Sequence, residues 1–174
     1  MHVMIDLETM GCGPQAAIVA IGGVMFSSKG IGDEFYCLVD LESSMKAGLQ
    51  VDASTVKWWL GREKAAQDAL LGTGGVVEPI ALERALSDLS GWVRPDDHVW
   101  GNGADFDNAI LSNAYRLCHM RQPWKYINSR CYRTLKNLYP DVLPEKRTGV
   151  YHNALDDARY QARHAAKILA TKML

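Results

Sequence analysis

Three β-rich runs crowd into the first 39 residues, and they constrain this chain more than any other feature. They cover residues 2–7, 17–26 and 34–39, and the turn signals Gly11-Cys12-Gly13-Pro14 and Lys29-Gly30-Ile31-Gly32 stand between them. β-Branched and aromatic residues favour extended backbone, while clustered glycine and proline favour turns. Three successive runs of this kind read as an antiparallel meander opening a sheet.

The pattern then turns helical. Asp52 or Ser54 is placed to cap a short helix through Trp58, Trp59 and Leu60, and residues 65–71 continue it or start another. A glycine-rich break follows at 72–75. Pro79 suits the first turn of a helix carrying Leu82, Leu86, Leu89, Trp92 and Val93 at helical spacing. Residues 98–100 form a short strand and 105–119 a helix with Ile110, Leu111, Ala114 and Leu117 inside. Residues 124–127 are the last strand, and Ser129 caps a helix reaching Tyr139. Residues 140–151 make a loop containing Lys146 and Arg147, and the final helix runs over about 153–173. Strands first, then helices alternating with strands, specify an α/β sheet covered by helices. With no repeat, low-complexity tract or linker, the 174 residues read as one domain spanning 1–174.

Composition narrows the function classes. At 48% apolar and 22% charged residues the chain reads as globular, with no apolar run long enough to span a membrane and no secretory signal. The formal net charge of −1 excludes a strongly basic whole-chain footprint and leaves room for a local basic patch. Cys12, Cys37, Cys118 and Cys131 are scattered, without a CxxC pair, so they read as reduced thiols of a cytoplasmic protein rather than as a zinc site or disulfide frame.

Within this frame the acidic residues fall in an unusual order. Asp6 and Glu8 lie two apart near the end of the first strand, so both side chains project from one face. Two carboxylates that close raise each other's pKa unless a cation separates them, and hard divalent ions favour such oxygen ligands. Asp105 and Asp107 open the helix after the short strand, in the stretch Gly101-Asn102-Gly103-Ala104-Asp105-Phe106-Asp107. His152 stands at the start of the final helix, with Asp156 and Asp157 in its first turns. Each cluster alone has an ordinary explanation: a solvated strand end, or acids meeting a helix dipole. Together they bring four carboxylates and a histidine to element ends. Four converging carboxylates need neutralising charge. With two divalent ions they form a two-metal phosphodiesterase site, and a histidine is a suitable general base for its water.

The ordered set resembles the DEDDh branch of the DnaQ-like 3′–5′ exonuclease superfamily. Asp6-Leu7-Glu8 matches the first motif, DxE. The stretch from Asn102 to Phe106-Asp107 matches the second, and His152 with Asp157 fits the H-x4-D third motif. The tyrosine branch would need Tyr where Asn153 stands. The second motif has one extra residue between its Asn and its Phe-Asp, so Asp105 competes with Asp107; the place directly after Phe106 favours Asp107. Small size and the Trp58-Trp59 segment are similar to phage- and prophage-type members and to RNase AS. The resemblance implies an RNase H-like fold, a five-stranded mixed sheet with its first three strands antiparallel, flanked by helices. It implies two Mg²⁺ or Mn²⁺ ions held mainly by Asp6, Glu8, Asp107 and Asp157. It further implies that His152 deprotonates the water and that nucleoside 5′-monophosphates leave from single-stranded nucleic acid 3′ ends.

Around this set, Thr9 and Met10 follow the first motif, where family members contact the terminal nucleotide. Of Trp58 and Trp59, adjacent on a helix, one can be core while the other stacks on a base; Trp59 is taken as the substrate contact. Phe106 is a wedge or a core residue. Lys146 and Arg147 precede His152 and suit phosphate contact. No role falls to Arg130, Arg133 or Lys136. Two competing classes are a catalytically silent nucleic-acid-binding module and a small-nucleotide phosphohydrolase. DNA and RNA are not distinguished, and residues 42–97 offer enough helical surface for a homodimer.

Overall fold

The computed structural model describes residues 1–72 and 77–172. Its sheet has the order β3-β2-β1-β4-β5, built from β1 (His2–Thr9), β2 (Ile18–Ser27), β3 (Gly30–Leu38), β4 (His98–Gly101) and β5 (Ser129–Cys131). The first three strands pair antiparallel, and β4 and β5 run parallel to β1. This is the five-stranded mixed sheet that the resemblance implies. The helices are α1 (Leu41–Lys46), α2 (Ala53–Leu60), α3 (Lys64–Leu71), α4 (Leu82–Trp92), α5 (Asp107–Leu117), α6 (Tyr132–Leu138) and α7 (Ala154–Lys172). Among the described residues no helix is long and apolar enough to cross a membrane.

β1 is the central strand and is covered on both faces. Val3, Ile5 and Leu7 join Leu82, Leu86 and Leu89 of α4 and Ile110, Leu111 and Tyr115 of α5 in one core. Met4 points the other way, into a core with Phe26, Trp100, Tyr132 and the alanine-rich face of α7. Asp6 and Glu8 continue the Met4 face by the two-residue period of a strand, so they emerge under α7. The β1–β2 register slips between Glu8 and Thr9. Such irregularities re-aim a strand end, and they recur beside active sites.

Small residues let α7 lie unusually close. Ala154, Ala158, Ala162 and Ala165 are fully buried. At Gly22, the register partner of Asp6, any Cβ would fall 2.2 Å from the Ala154 carbonyl carbon. Glycine is therefore required there, and the close approach sets the first turns of α7 directly over the β1 carboxylates.

Several boundaries differ from the sequence expectation. The last strand is Ser129–Cys131, not 124–127. Trp124 is apolar because it fills the α5-side core, edge-on to Tyr115, and Tyr126–Asn128 is a 3₁₀ turn. Ser129 is consequently a strand residue, and Cys131 takes the N-cap of α6, its Sγ accepting from Thr134 N. α5 starts at Asp107, leaving Asp105 in the preceding turn. Pro79 precedes α4 in extended backbone, where Ile80 bridges to Val39. Asp52 stands at the N-cap of α2 without capping it and accepts from Cys12 N instead. Helix α1 has no counterpart in the sequence expectation; Asp40 caps it, accepting from Ser43 N. Gly72 ends α3 in a left-handed turn, and residues 73–75 of the glycine-rich break and Met173 lie outside the described residues.

Candidate active site

Three carboxylates meet where β1 ends under α7. Oxygens of Asp6, Glu8 and Asp157 lie within 4.8 Å of one another. Glu8 is only 8% exposed and its Oε1 has no hydrogen-bond partner. Lost hydration at the cleft floor, then the charges of Asp107, Glu8 and Asp157, push the Asp6 carboxyl well above its ordinary range. Burial, then Asp157 and Asp107, push Glu8 up to about 8, against the pull of Arg147. An oxygen-only donor set, crowded, desolvated and carrying a buried orphan acceptor, fits a hard divalent cation.

Asp107 is buried behind this trio. Its Oδ1 accepts from Leu7 N at 3.1 Å and its Oδ2 from Asn102 N at 2.6 Å, tying α5 to β1 and to the turn after β4. Burial raises its pKa to about 6, offset by those backbone donors. Asp105 is exposed, whereas Asp107 is buried close enough to Asp6 and Glu8 for its charge to raise both. Asp156 faces elsewhere: it accepts from Val150 N and from Arg159, which also pairs with Glu34.

His152 lines the same cleft beside Asp157, in a left-handed conformation, φ 62°. A non-glycine residue there costs about 1–2 kcal/mol and persists only where its surroundings enforce it. Two groups do so: Asp157 Oδ2 accepts from His152 N at 3.1 Å, and Asn153 Oδ1 caps α7 through Leu155 N and Asp156 N. The imidazole meets the Trp58 ring edge-on at 4.8 Å. Burial lowers its pKa, as do Arg62 and Arg147, against the opposing effect of Asp157.

Asp6, Glu8, Asp157, His152 and Trp58 line one cleft of about 810 Å³, and Asp107 lies behind its wall. Thr9 and Phe106 line it, although the Thr9 side chain is spent on Gly11 O and its carbonyl on Trp59 Nε1. Trp59, the expected substrate contact, is 4% exposed and largely core, whereas Trp58 is 39% exposed and presents the accessible indole. Met10 packs against the α4–α5 core. Lys146 is exposed and lies outside the cleft lining, while Arg147 reaches into it and pairs with Asp157.

Three groups to which the sequence expectation gives no role line this cleft. Gln161 Nε2 donates to Asp6 Oδ1 at 2.6 Å. It stands four residues after Asp157, one helical turn along the same face, which is the signal that could have found it. Arg133 and Lys136, three apart on α6, line the cleft wall next to Asn137 and Leu143; Arg130 is on β5, not on their helix.

The architecture is shared with solved structures of low sequence identity, an RNase H-like fold seen in DEDDh exonucleases. One is the nuclease domain of 3′hExo, a DEDDh family member, bound to rAMP: 16% identity, 96% of this chain and 90% of that one, TM-score 0.58. A second is Exonuclease X in complex with 5′ overhanging duplex DNA: 16% identity, 100% and 94% coverage, TM-score 0.59. A third is a full-length 3′-exonuclease: 16% identity, 96% and 80% coverage, TM-score 0.61. No curated protein matches the chain. The profile of the family described as the 3′-5′ exoribonuclease Rv2179c-like domain matches residues 1–169.

Proposed function

Because the chain belongs to the 3′-5′ exoribonuclease Rv2179c-like domain family and is a 3′–5′ exonuclease hydrolase, we propose that it removes nucleoside 5′-monophosphates stepwise from single-stranded RNA 3′ ends. The observation that carries this reading is the Asp6, Glu8 and Asp157 trio, its oxygens within 4.8 Å, lining one cleft together with His152. Asp6, Glu8 and Asp157, with Asp107 behind them, would hold two Mg²⁺ or Mn²⁺ ions. When bound, such ions stabilise charge on the scissile phosphate and acidify the attacking water.

The chain's own residues supply the rest. His152, with its pKa lowered, is neutral at neutral pH and accepts the proton of the water. Trp58 carries the Arg62 guanidinium over its ring, 4.5 Å from the centroid, and offers its remaining exposed surface to the terminal base, a contact worth about 1–3 kcal/mol in comparable sites. Arg133 and Lys136 place positive charge along the wall by which the upstream strand leaves. A cleft of about 810 Å³ has the dimensions of a small-ligand pocket, which suits terminal nucleotides better than a passing duplex. The four cysteines are free thiols, in keeping with work in the reducing cytoplasm.

The test is a time course on 5′-labelled RNA and DNA oligomers, single-stranded and paired, beside a circular control. A ladder shortening from the 3′ end, faster on single-stranded RNA and releasing 5′-monophosphates, is expected. Nicking of the circle, shortening from the 5′ end, or equal rates on blunt duplex would overturn the reading.

A further inference from the structure

Arg147 occupies an odd place for a phosphate-binding arginine. Its Nη2 pairs with Asp157 Oδ1, one of the carboxylates of the trio. The other Asp157 oxygen already accepts from His152 N, so both oxygens are committed. The side chain is 15% exposed, and its guanidinium lies 4.0 Å from the centroid of the Tyr151 ring and 5.2 Å from that of Tyr160. Those rings fix its plane at the edge of the cleft. Its Nε is buried without an acceptor. A buried donor on a rigidly held cation is an unmet demand for an oxygen, and no group among the described residues supplies one.

Two demands therefore meet at one guanidinium. The crowded acids need positive charge, and Arg147 delivers it through Asp157. Its unsatisfied Nε needs an acceptor, Arg147 lines the cleft, and the ligand this cleft is built for carries phosphate oxygens. We propose that Arg147 is a resident counter-ion: it holds Asp157 while the acidic site lacks divalent cations, and presents the same guanidinium to a phosphate oxygen of the terminal nucleotide in the loaded site. This rests on the exonuclease reading above. Its consequence is a pair of opposite effects, since Arg147 competes with a cation for Asp157 yet helps to hold the nucleotide.

The test needs no turnover. The chelated full-length chain is titrated calorimetrically with Mn²⁺ alone, and separately with AMP in the presence of Ca²⁺. Arg147→Gln is expected to bind Mn²⁺ on the order of 10-fold more tightly, because a competing charge beside Asp157 is gone, and AMP about 10-fold more weakly. Arg147→Lys keeps the charge but loses the planar fork, so Mn²⁺ affinity should stay near wild type while AMP affinity falls. Mn²⁺ affinity in Arg147→Gln that is unchanged or weakened overturns the inference, as does unchanged AMP affinity. If Arg147→Gln does not fold, Arg147→Lys decides: wild-type AMP affinity there also overturns it. A wild-type chain that binds Mn²⁺ but leaves RNA intact defeats the exonuclease reading instead, so the two failures are distinct.

Discussion

Gln161 Nε2 donates to Asp6 Oδ1 across 2.6 Å, joining the middle of α7 to the end of β1. The donor favours the ionised carboxylate, opposing the strong upward push from burial. It also fixes which Asp6 oxygen is left for a cation. Groups that orient metal ligands in this way typically change affinity about 10–100-fold when removed. Gln161→Leu keeps the bulk and deletes the donor. Mn²⁺ affinity should fall by about that factor, with activity recovering at high Mn²⁺. Unchanged affinity by calorimetry would show that the contact is only packing.

The acids differ in what their removal should do. Asp6→Asn, Glu8→Gln and Asp157→Asn should each abolish turnover while folding persists. Asp105→Ala, in an exposed turn, should leave activity near wild type. Asp107→Ala should be inactive and also less stable, because Leu7 N and Asn102 N lose their acceptor; each buried unpaired donor costs about 1–3 kcal/mol. His152→Ala should keep cation affinity and slow the chemistry about 10²–10⁴-fold. A dead Asp105→Ala beside an active Asp107→Ala, scored by single-turnover assay and melting, would reverse the assignment of the second motif.

Much of this site is legible in the sequence because its logic is local. The two-residue period of a strand puts Asp6 and Glu8 on one face, and the spacing of His152 and Asp157 places one at the hinge and the other on the helix. What is illegible depends on tertiary contact. Gly22 falls inside the run 17–26 with nothing local to mark it, and its need for glycine appears only where α7 docks on it. Trp124 reads as a strand because its apolarity answers to Tyr115, which comes from another element. β5 is three residues long, too short for any period to show. Trp58 and Trp59 are equivalent in sequence, and only the docking of α2 against Thr9 O decides which is buried. Arg133 and Lys136 are common polar residues on a helix, and nothing local marks the cleft they line; only Gln161 carries a local mark, one helical turn beyond Asp157.

Metal-free stability should depend on pH with a definite sign. Glu8 is pushed from 4.5 to about 8, Asp107 from 3.8 to about 6, and Asp6 well above 3.8. The folded chain therefore holds these protons more tightly than the unfolded chain. Their contribution to stability is fully present below about pH 4 and is lost as pH rises toward 8. In EDTA the Tm should fall between pH 5 and pH 8; for a chain of this size each kcal/mol is about 2–4 °C. A divalent cation replaces the protons, so the Tm rise caused by Mg²⁺ should be small at pH 5 and larger at pH 8. A metal-free Tm that climbs across this window would contradict the crowding of the three acids.

The two tryptophans should separate stacking from packing. Trp59 is buried, with its Nε1 on Thr9 O, so Trp59→Ala should cost about 3–5 kcal/mol by denaturant unfolding. Trp58 is half-exposed beside His152, and Trp58→Ala should leave the Tm nearly unchanged while raising KM for RNA. The converse pattern would place the stacking ring at Trp59.

A near-neutral chain can still grip a polyanion if its few cations are well placed. Arg133 and Lys136 are one turn apart on α6 and line the same cleft as the acids. Arg133 Nη2 donates to Asn102 O, which ties its guanidinium to the turn that positions Asp107. Lys136 lies over the Tyr132 ring, 5.4 Å from its centroid, and stays free to meet a phosphate. Each phosphate neutralised on a single strand should contribute about 0.7 to the slope of log affinity against log salt. Replacing both residues with alanine should therefore flatten that slope by about 1.4. KM should rise for long single-stranded RNA, with little effect on a dinucleotide too short to reach α6. The measurement is initial rate against NaCl concentration for a dinucleotide and for a long oligomer, wild type beside the double variant. Equal losses on both substrates would mean that Arg133 acts through the turn at Asn102, and that the upstream strand leaves along another wall.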